Sequence, residues 1–220
     1  MHMYIKALFK VAGKYAPSRN ISFDVAHILK ALQLIEKRGH ASRELLSREL
    51  ALGKGVIKTL MKHLKMQNMI YTANSGTKMT EKGKSIFSHI ISSIPAETNV
   101  PKCSVALGRF NYAVLLKQFN FAIKSGVEQR DAAIKMGAKG ATTLLYKDRG
   151  FVMPSIDGTF NPLQKEPEIC KLLINRLQPI EEGDVIIIGS DDTSKRSAEL
   201  AAKSAALLTI MDHEKDNTHF

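Results

Sequence analysis

A chain of 220 residues with 44% apolar content can bury a substantial core, and no apolar run approaches the roughly 20 residues that a membrane-spanning helix needs. Two widely separated cysteines, Cys103 and Cys170, support neither a disulfide framework nor a metal-binding pair. The first residues also lack the apolar segment of a secretory signal, so a reduced cytoplasmic setting without metal or cofactor is expected. The formal charge of +11 is unevenly placed: residues 1–95 carry 16 Lys and Arg against 5 Asp and Glu, whereas residues 96–220 carry 16 of each. An excess confined to one part of a chain points to an anionic macromolecule rather than to general solubility.

An amphipathic segment from Tyr4 to Tyr15 comes first. Val25, Ile28, Leu29, Leu32 and Ile35 then follow the i, i+3, i+4, i+7 spacing of a helix with one buried face, stopped by Gly39. Ser42 is positioned to cap a short second helix carrying Leu45, Leu46 and Leu50. Ala51 to Gly53 makes a tight turn, and a third helix starts at Lys54 or Gly55 and runs to Gln67. The period then changes: "MIYTAN" and "TKMT" read as two short strands joined at Asn74-Ser75-Gly76. Thr80 caps a further helix with Ile86, Phe87, Ile90, Ile91 and Ile94 inward. Two prolines among small polar residues in "SSIPAETNVP" read as a linker. The expected division is residues 1–94, a linker at 95–101, a second domain at 102–212 and a polar, fraying tail at 213–220.

Beyond Pro101 short strands and helices alternate. "KCSVALG" and "NYAVLLKQF" read as a strand pair, Gly126 to Ala138 as a helix, and "ATTLLYKDRGFVMP" as two strands joined at Asp148-Arg149-Gly150. "EPEICKLLINRL" reads as a helix, "DVIIIGS" as a strand and "SKRSAELAAKSAALLTI" as an alanine-rich helix. Hairpins followed by helices predict a two-layer α+β domain, a mainly antiparallel sheet with its helices on one face.

The segment "GKGVIKTLMKHLK" is the one with most chemistry to offer. A phosphate loop needs G-x-x-x-x-G-K-[ST] after a strand; here the preceding residues are helical and no Ser or Thr follows Lys54. As a helix, it gathers Lys54, Lys58, Lys62 and Lys65 within an arc of roughly 80°. Ile57, Leu60, Met61 and Leu64 occupy the neighbouring arc and His63 falls on the surface. A lysine row is most often only a solvated helix face. Its context, a basic helix-turn-helix followed by a hairpin, raises the prospect of DNA contact, with Thr59 and Gly55 leaving the helix start uncluttered. Arg43 and Arg48 on the second helix, Asn74, Ser75 and Lys78 in the hairpin, and Lys82 and Lys84 beyond it are candidate backbone contacts.

The stretch "GHASRELLSRELALGKGVIKTLMKHLKMQNMIYTANSGTKMTEKGKSIF" resembles the winged helix-turn-helix superfamily over about residues 21–94. Together with "GVEQRDAAIKMGAKGATTLLYKDRGFVMP" and "VIIIGSDDTSKRSAELAAKSAAL", nearly the whole chain resembles an archaeal family of two-domain winged-helix proteins. The resemblance implies a transcriptional regulator whose third helix enters the major groove of double-stranded DNA while the hairpin touches the backbone. It further implies a homodimer and a second domain that binds a small effector or mediates assembly. In that domain two polar clusters are candidates for ligand contact: Gln129, Arg130 and Asp131 early in a helix, and Ser190, Asp191 and Asp192 between a strand and a helix. Helix capping and surface pairing explain both more simply. Two other classes stay open. One is an enzyme with an accessory winged helix, although the Gly-rich nucleotide signature of the archaeal riboflavin kinases of this size is not evident. The other is a protein-protein adaptor in a transcription or repair assembly.

Overall fold

The computed structural model describes residues 2–13, 22–154 and 161–216, and it divides into two units, Met1–Ile91 and Ser92–Phe220. In the first unit α1 (His2–Val11) is followed by α2 (Val25–Arg38), α3 (Arg43–Leu50), α4 (Lys54–Met66), the strands β1 (Ile70–Ala73) and β2 (Gly76–Met79), and α5 (Glu81–Ser93). The end of the expected Tyr4–Tyr15 segment lies outside the described residues.

Local chemistry sets each boundary in the first unit. Asp24 opens α2 by accepting from Ala26 N–H at 2.9 Å while its own N–H donates to His27 Nδ1 at 3.0 Å, a reciprocal cap. Gly39 ends the helix in the left-handed region at φ 72°. Ser42 caps α3 through Leu45 N–H at 3.1 Å, and Thr80 caps α5 by accepting from Gly83 N–H at 3.0 Å. The expected α2 face, Val25, Ile28, Leu29, Leu32 and Ile35, is buried throughout. β1 and β2 pair antiparallel with Ala73 opposite Gly76, which leaves Asn74 and Ser75 as the two-residue tip. A pair of 2.9 Å hydrogen bonds between Ala41 and Thr77 ties the α2–α3 loop to this hairpin.

The second unit is α+β. Its sheet has the order β3-β4-β7-β5-β6, formed by β3 (Glu97–Val100), β4 (Phe110–Leu116), β5 (Gly140–Lys147), β6 (Gly150–Val152) and β7 (Val185–Asp191), and every neighbouring pair is antiparallel. The helices are α6 (Val127–Lys135), α7 (Pro167–Arg176) and α8 (Lys195–Asp216). All seven residues of the central strand β7 are buried, which is why it reads as a near-continuous apolar run.

Four expectations need correction here. Helices cover both faces of the sheet rather than one. Ile186 and Ile188 share a core with Leu173 of α7 and Leu177 at its end, while Gly189, pointing the other way, lies under Ala198 and Ala202 of α8. The linker expected at 95–101 contains β3, an edge strand paired with β4 alone. "KCSVALG" forms an isolated bridge between Cys103 and Ala106, not a strand. The tail expected from residue 213 continues α8 to Asp216.

Candidate nucleic-acid interface

Ile57, Leu60, Met61 and Leu64 of α4 are buried, and Lys54, Lys58, Lys62 and Lys65 are exposed, so the helix divides into an apolar and a cationic side. His63 joins the buried side, contrary to its expected surface position. It is covered by α1, with Nδ1 2.9 Å from Val11 O, and its ring meets Phe23 edge-on. The lysine row does not stand alone. Arg43, at the start of α3, faces it across a shallow cavity of about 390 Å³ lined by Arg43, Lys58, Met61, Lys62, Lys65 and Met66. Four cations and two thioethers, with no carboxylate among them, make a site that repels cations and attracts a polyanion. Met61, expected on the apolar arc, and Met66, not singled out in the sequence, add apolar lining to this cleft.

The remaining candidates fall into four situations. Asn74 and Ser75 are exposed at the hairpin tip, where Ser75 helps line a separate cavity with Arg38, Glu44 and Arg48. Lys78 is half-buried on β2, opposite the exposed Tyr71. Two of the supporting cations are already engaged: Arg48 pairs with Glu49 at 3.2 Å, and Lys84 with Glu81 at 2.9 Å, a hydrogen bond that raises the Lys84 pKa. Thr59 Oγ1 donates to Gly55 O at 3.2 Å, so its hydroxyl hydrogen is used within the helix.

In the second unit the two polar clusters separate in character. Ser190 donates to Asn111 Oδ1 at 2.8 Å, and Asp192 accepts from Arg109 N–H at 2.8 Å and Lys139 Nζ at 3.0 Å. Those two partners hold the Asp192 pKa below its ordinary value. Asp191 accepts from the N–H groups of Thr193 and Ser194, both at 3.0 Å, and from Thr193 Oγ1. This cluster shapes the turn between β7 and α8, but the capping role expected of it falls to Ser194, whose Oγ accepts from Ser197 N–H at 3.0 Å at the start of α8. Arg130 pairs with Asp131 at 3.1 Å on the exposed side of α6. Gln129, by contrast, is buried and donates to Thr209 Oγ1 at 2.9 Å, while its Oε1 accepts no hydrogen bond among the described residues. Gln129 and Asp131 line a second cavity of about 390 Å³ with Phe121, Lys135, Thr209 and His213.

Two ionic clusters escaped the sequence reading because their members lie far apart in the chain. Lys203, wholly buried on α8, reaches Glu199 at 2.6 Å and Glu97 of β3 at 3.1 Å. Lys117 spans Asp184 at 2.8 Å and Glu181 at 2.9 Å; burial opposes its charge, but the two carboxylates prevail and raise its pKa. The first fastens the edge strand β3 to α8, and the second joins the end of β4 to the start of β7. Burial pushes the thiols of Cys103 and Cys170 up, which disfavours the nucleophilic thiolate. Among the described residues no three His, Cys, Asp or Glu side chains group closely enough to hold a metal ion, and no helix is long and apolar enough to cross a membrane.

Residues 107–210, within the second unit, match the family model described as a domain of unknown function, DUF4443. Over most of its length the chain is similar to a solved structure, the hypothetical protein PH0730 from Pyrococcus horikoshii OT3. The two are 26% identical at a TM-score of 0.64, with 89% of this chain and 95% of that one covered. The uncovered share is smaller than either unit, so the likeness extends into both. No curated protein matches the sequence.

Proposed function

We propose that the chain is a DNA-binding transcriptional regulator whose first unit is a winged helix-turn-helix. In this reading α3 and α4 form the helix-turn-helix, α4 enters the major groove, and the β1–β2 hairpin is the wing on the adjacent backbone. The observation that carries it is the carboxylate-free cleft where Arg43 faces Lys58, Lys62 and Lys65. The order of helices and hairpin and the confinement of the +11 charge to residues 1–95 support the same reading. The second unit senses a small molecule or holds two copies together. Its Gln129 cavity, with one amide oxygen left without a donor among the described residues, favours the sensing role. The setting is cytoplasmic and the working form a homodimer.

Mechanistically, each ammonium that takes a phosphate releases a condensed counterion. The observed affinity therefore falls with log salt at about −0.9 per phosphate neutralised on B-form DNA. Engagement of the four cations that line the cleft gives a slope of about −3.6 on that basis. Fluorescence-anisotropy titration of the full chain on a 30-base-pair duplex between ~50 and ~200 mM salt measures it. Lys58→Glu combined with Lys62→Glu is expected to abolish the binding and flatten the slope, with circular dichroism reporting an unchanged fold. Wild-type affinity in the double variant would show that the face is wrongly assigned.

A further inference from the structure

Outside its buried side, α4 carries hydrogen-bonding side chains of only two kinds, four lysines and Thr59. Arg, Asn, Gln, Asp and Glu are all missing from Lys54–Met66, and the one histidine, His63, is buried against Val11. Whichever part of the helix surface meets a duplex, the same short inventory faces the bases. The residue types that discriminate bases are planar and fork-shaped: Arg on guanine, Asn or Gln on adenine, a carboxylate on cytosine. A lysine ammonium can reach guanine O6 and N7, but as a rotating point charge it takes a phosphate oxygen as readily. Thr59 has already given its hydroxyl hydrogen to Gly55 O. Around α4 the cleft holds one guanidinium, that of Arg43. Asn74 stands at the hairpin tip, and a tip that reaches into the minor groove meets a degenerate pattern that separates little more than A·T from G·C.

We infer that the basic face grips duplex DNA by its phosphates with broad tolerance of base sequence, and that Arg43 supplies most of what preference remains. The inference rests on the reading of this face as a DNA contact and makes the partner duplex DNA in general rather than a single operator. Site choice in the cell then follows from DNA shape, local concentration or the second unit, and the protein occupies many sites weakly instead of one tightly.

The test uses the full chain. Anisotropy titrations on a panel of unrelated duplexes at fixed salt are combined with selection from a random duplex pool, and the selected sequences are titrated in turn. Dedicated operator-binding proteins favour their sites by about 10³–10⁷ over other DNA, so the expected spread here, selected sequences included, is below about 100-fold. A selected sequence bound more than about 100-fold tighter than the panel mean overturns the inference. Arg43→Lys keeps the charge and removes the fork, and the spread across the panel is expected to contract. An undiminished spread in Arg43→Lys overturns the role given to that residue. Failure of every duplex to bind at low salt is a different result. It removes the DNA reading itself, and the panel separates it cleanly from high selectivity.

Discussion

Asp191 ends a fully buried strand at the turn that leads to α8, and its carboxylate answers three donors from the two residues that follow Asp192. Burial alone would raise its pKa, but the hydrogen bonds from Thr193 and Ser194 outweigh burial and hold it below the ordinary 3.8. The folded state therefore favours the ionised form. That contribution is fully present above the unfolded pKa and is lost as pH falls through the lower folded value. Asp191→Ala leaves the donors of Thr193 and Ser194 without this acceptor and is expected to cost about 1–3 kcal/mol at neutral pH. Asp191→Asn keeps an acceptor oxygen and loses the charge. It should cost less, and its stability deficit should shrink toward zero as pH falls through the lowered folded pKa of the wild-type carboxyl. Urea titrations of the three proteins from neutral pH into this acid range check both statements. An Asp191→Asn deficit that is constant with pH would assign the stabilisation to packing instead.

At the scale of elements, β7 and α8 approach so closely that a glycine is required between them. A Cβ added at Gly189 would lie 2.3 Å from Ala198 O and 2.7 Å from Ala202 N, both backbone atoms that cannot turn aside. Gly189→Ala therefore has to lift the alanine-rich face of α8 from the central strand. An overpacking cost of about 1–3 kcal/mol is expected, read as a lower urea midpoint at unchanged m. An unchanged midpoint would mean that the helix and strand separate freely here. The same pair shows what a sequence can and cannot disclose. β7 was legible as four successive apolar residues, Val185 to Ile188, and α8 as a long run of helix formers. The face of α8 was not, because Ala198 through Leu207 is buried nearly all round except at Glu199, which leaves little periodicity to read. β3 was missed for a different reason. An edge strand pairs on one side only, and this one is short, polar and bounded by Pro95 and Pro101, the same features that mark a loop. In the first unit the 3.6-residue period of α2 and α4 identified their buried faces directly. His63 alone was misplaced on α4, since its cover comes from α1, about fifty residues earlier. The lysine side of the candidate site was thus readable from periodicity. Its junction with Arg43, and the place of Met66 in the same cleft, needed the packing of α3 on α4.

Across the whole molecule the charge asymmetry coincides with the division into units. Residues 92–95 carry no charge, so Met1–Ile91 holds the same 16 cations and 5 anions, while the second unit is balanced and spends much of its charge in internal pairs such as Lys203 with Glu199 and Lys117 with Asp184. Self-repulsion of an excess of +11 opposes the compact state of the first unit, and a polyanion bound there relieves it while adding its own binding energy. Linkage gives the size: duplex DNA at a free concentration of 100 times Kd stabilises the state that binds it by about 2.7 kcal/mol, equivalent to about 100-fold slower exchange of amides that open only by unfolding. Hydrogen-exchange mass spectrometry on the full chain can read this by segment. Under the proposed reading the slowing is centred on α3, α4 and the β1–β2 hairpin, reaches the buried amides of α2, and is reversed by raising the salt until the DNA dissociates. Slowing confined to β4, β7 and α8 would place the DNA contact on the neutral unit. In that case the charge of the first unit would serve another partner, and the lysine row of α4 would be a solvated helix face.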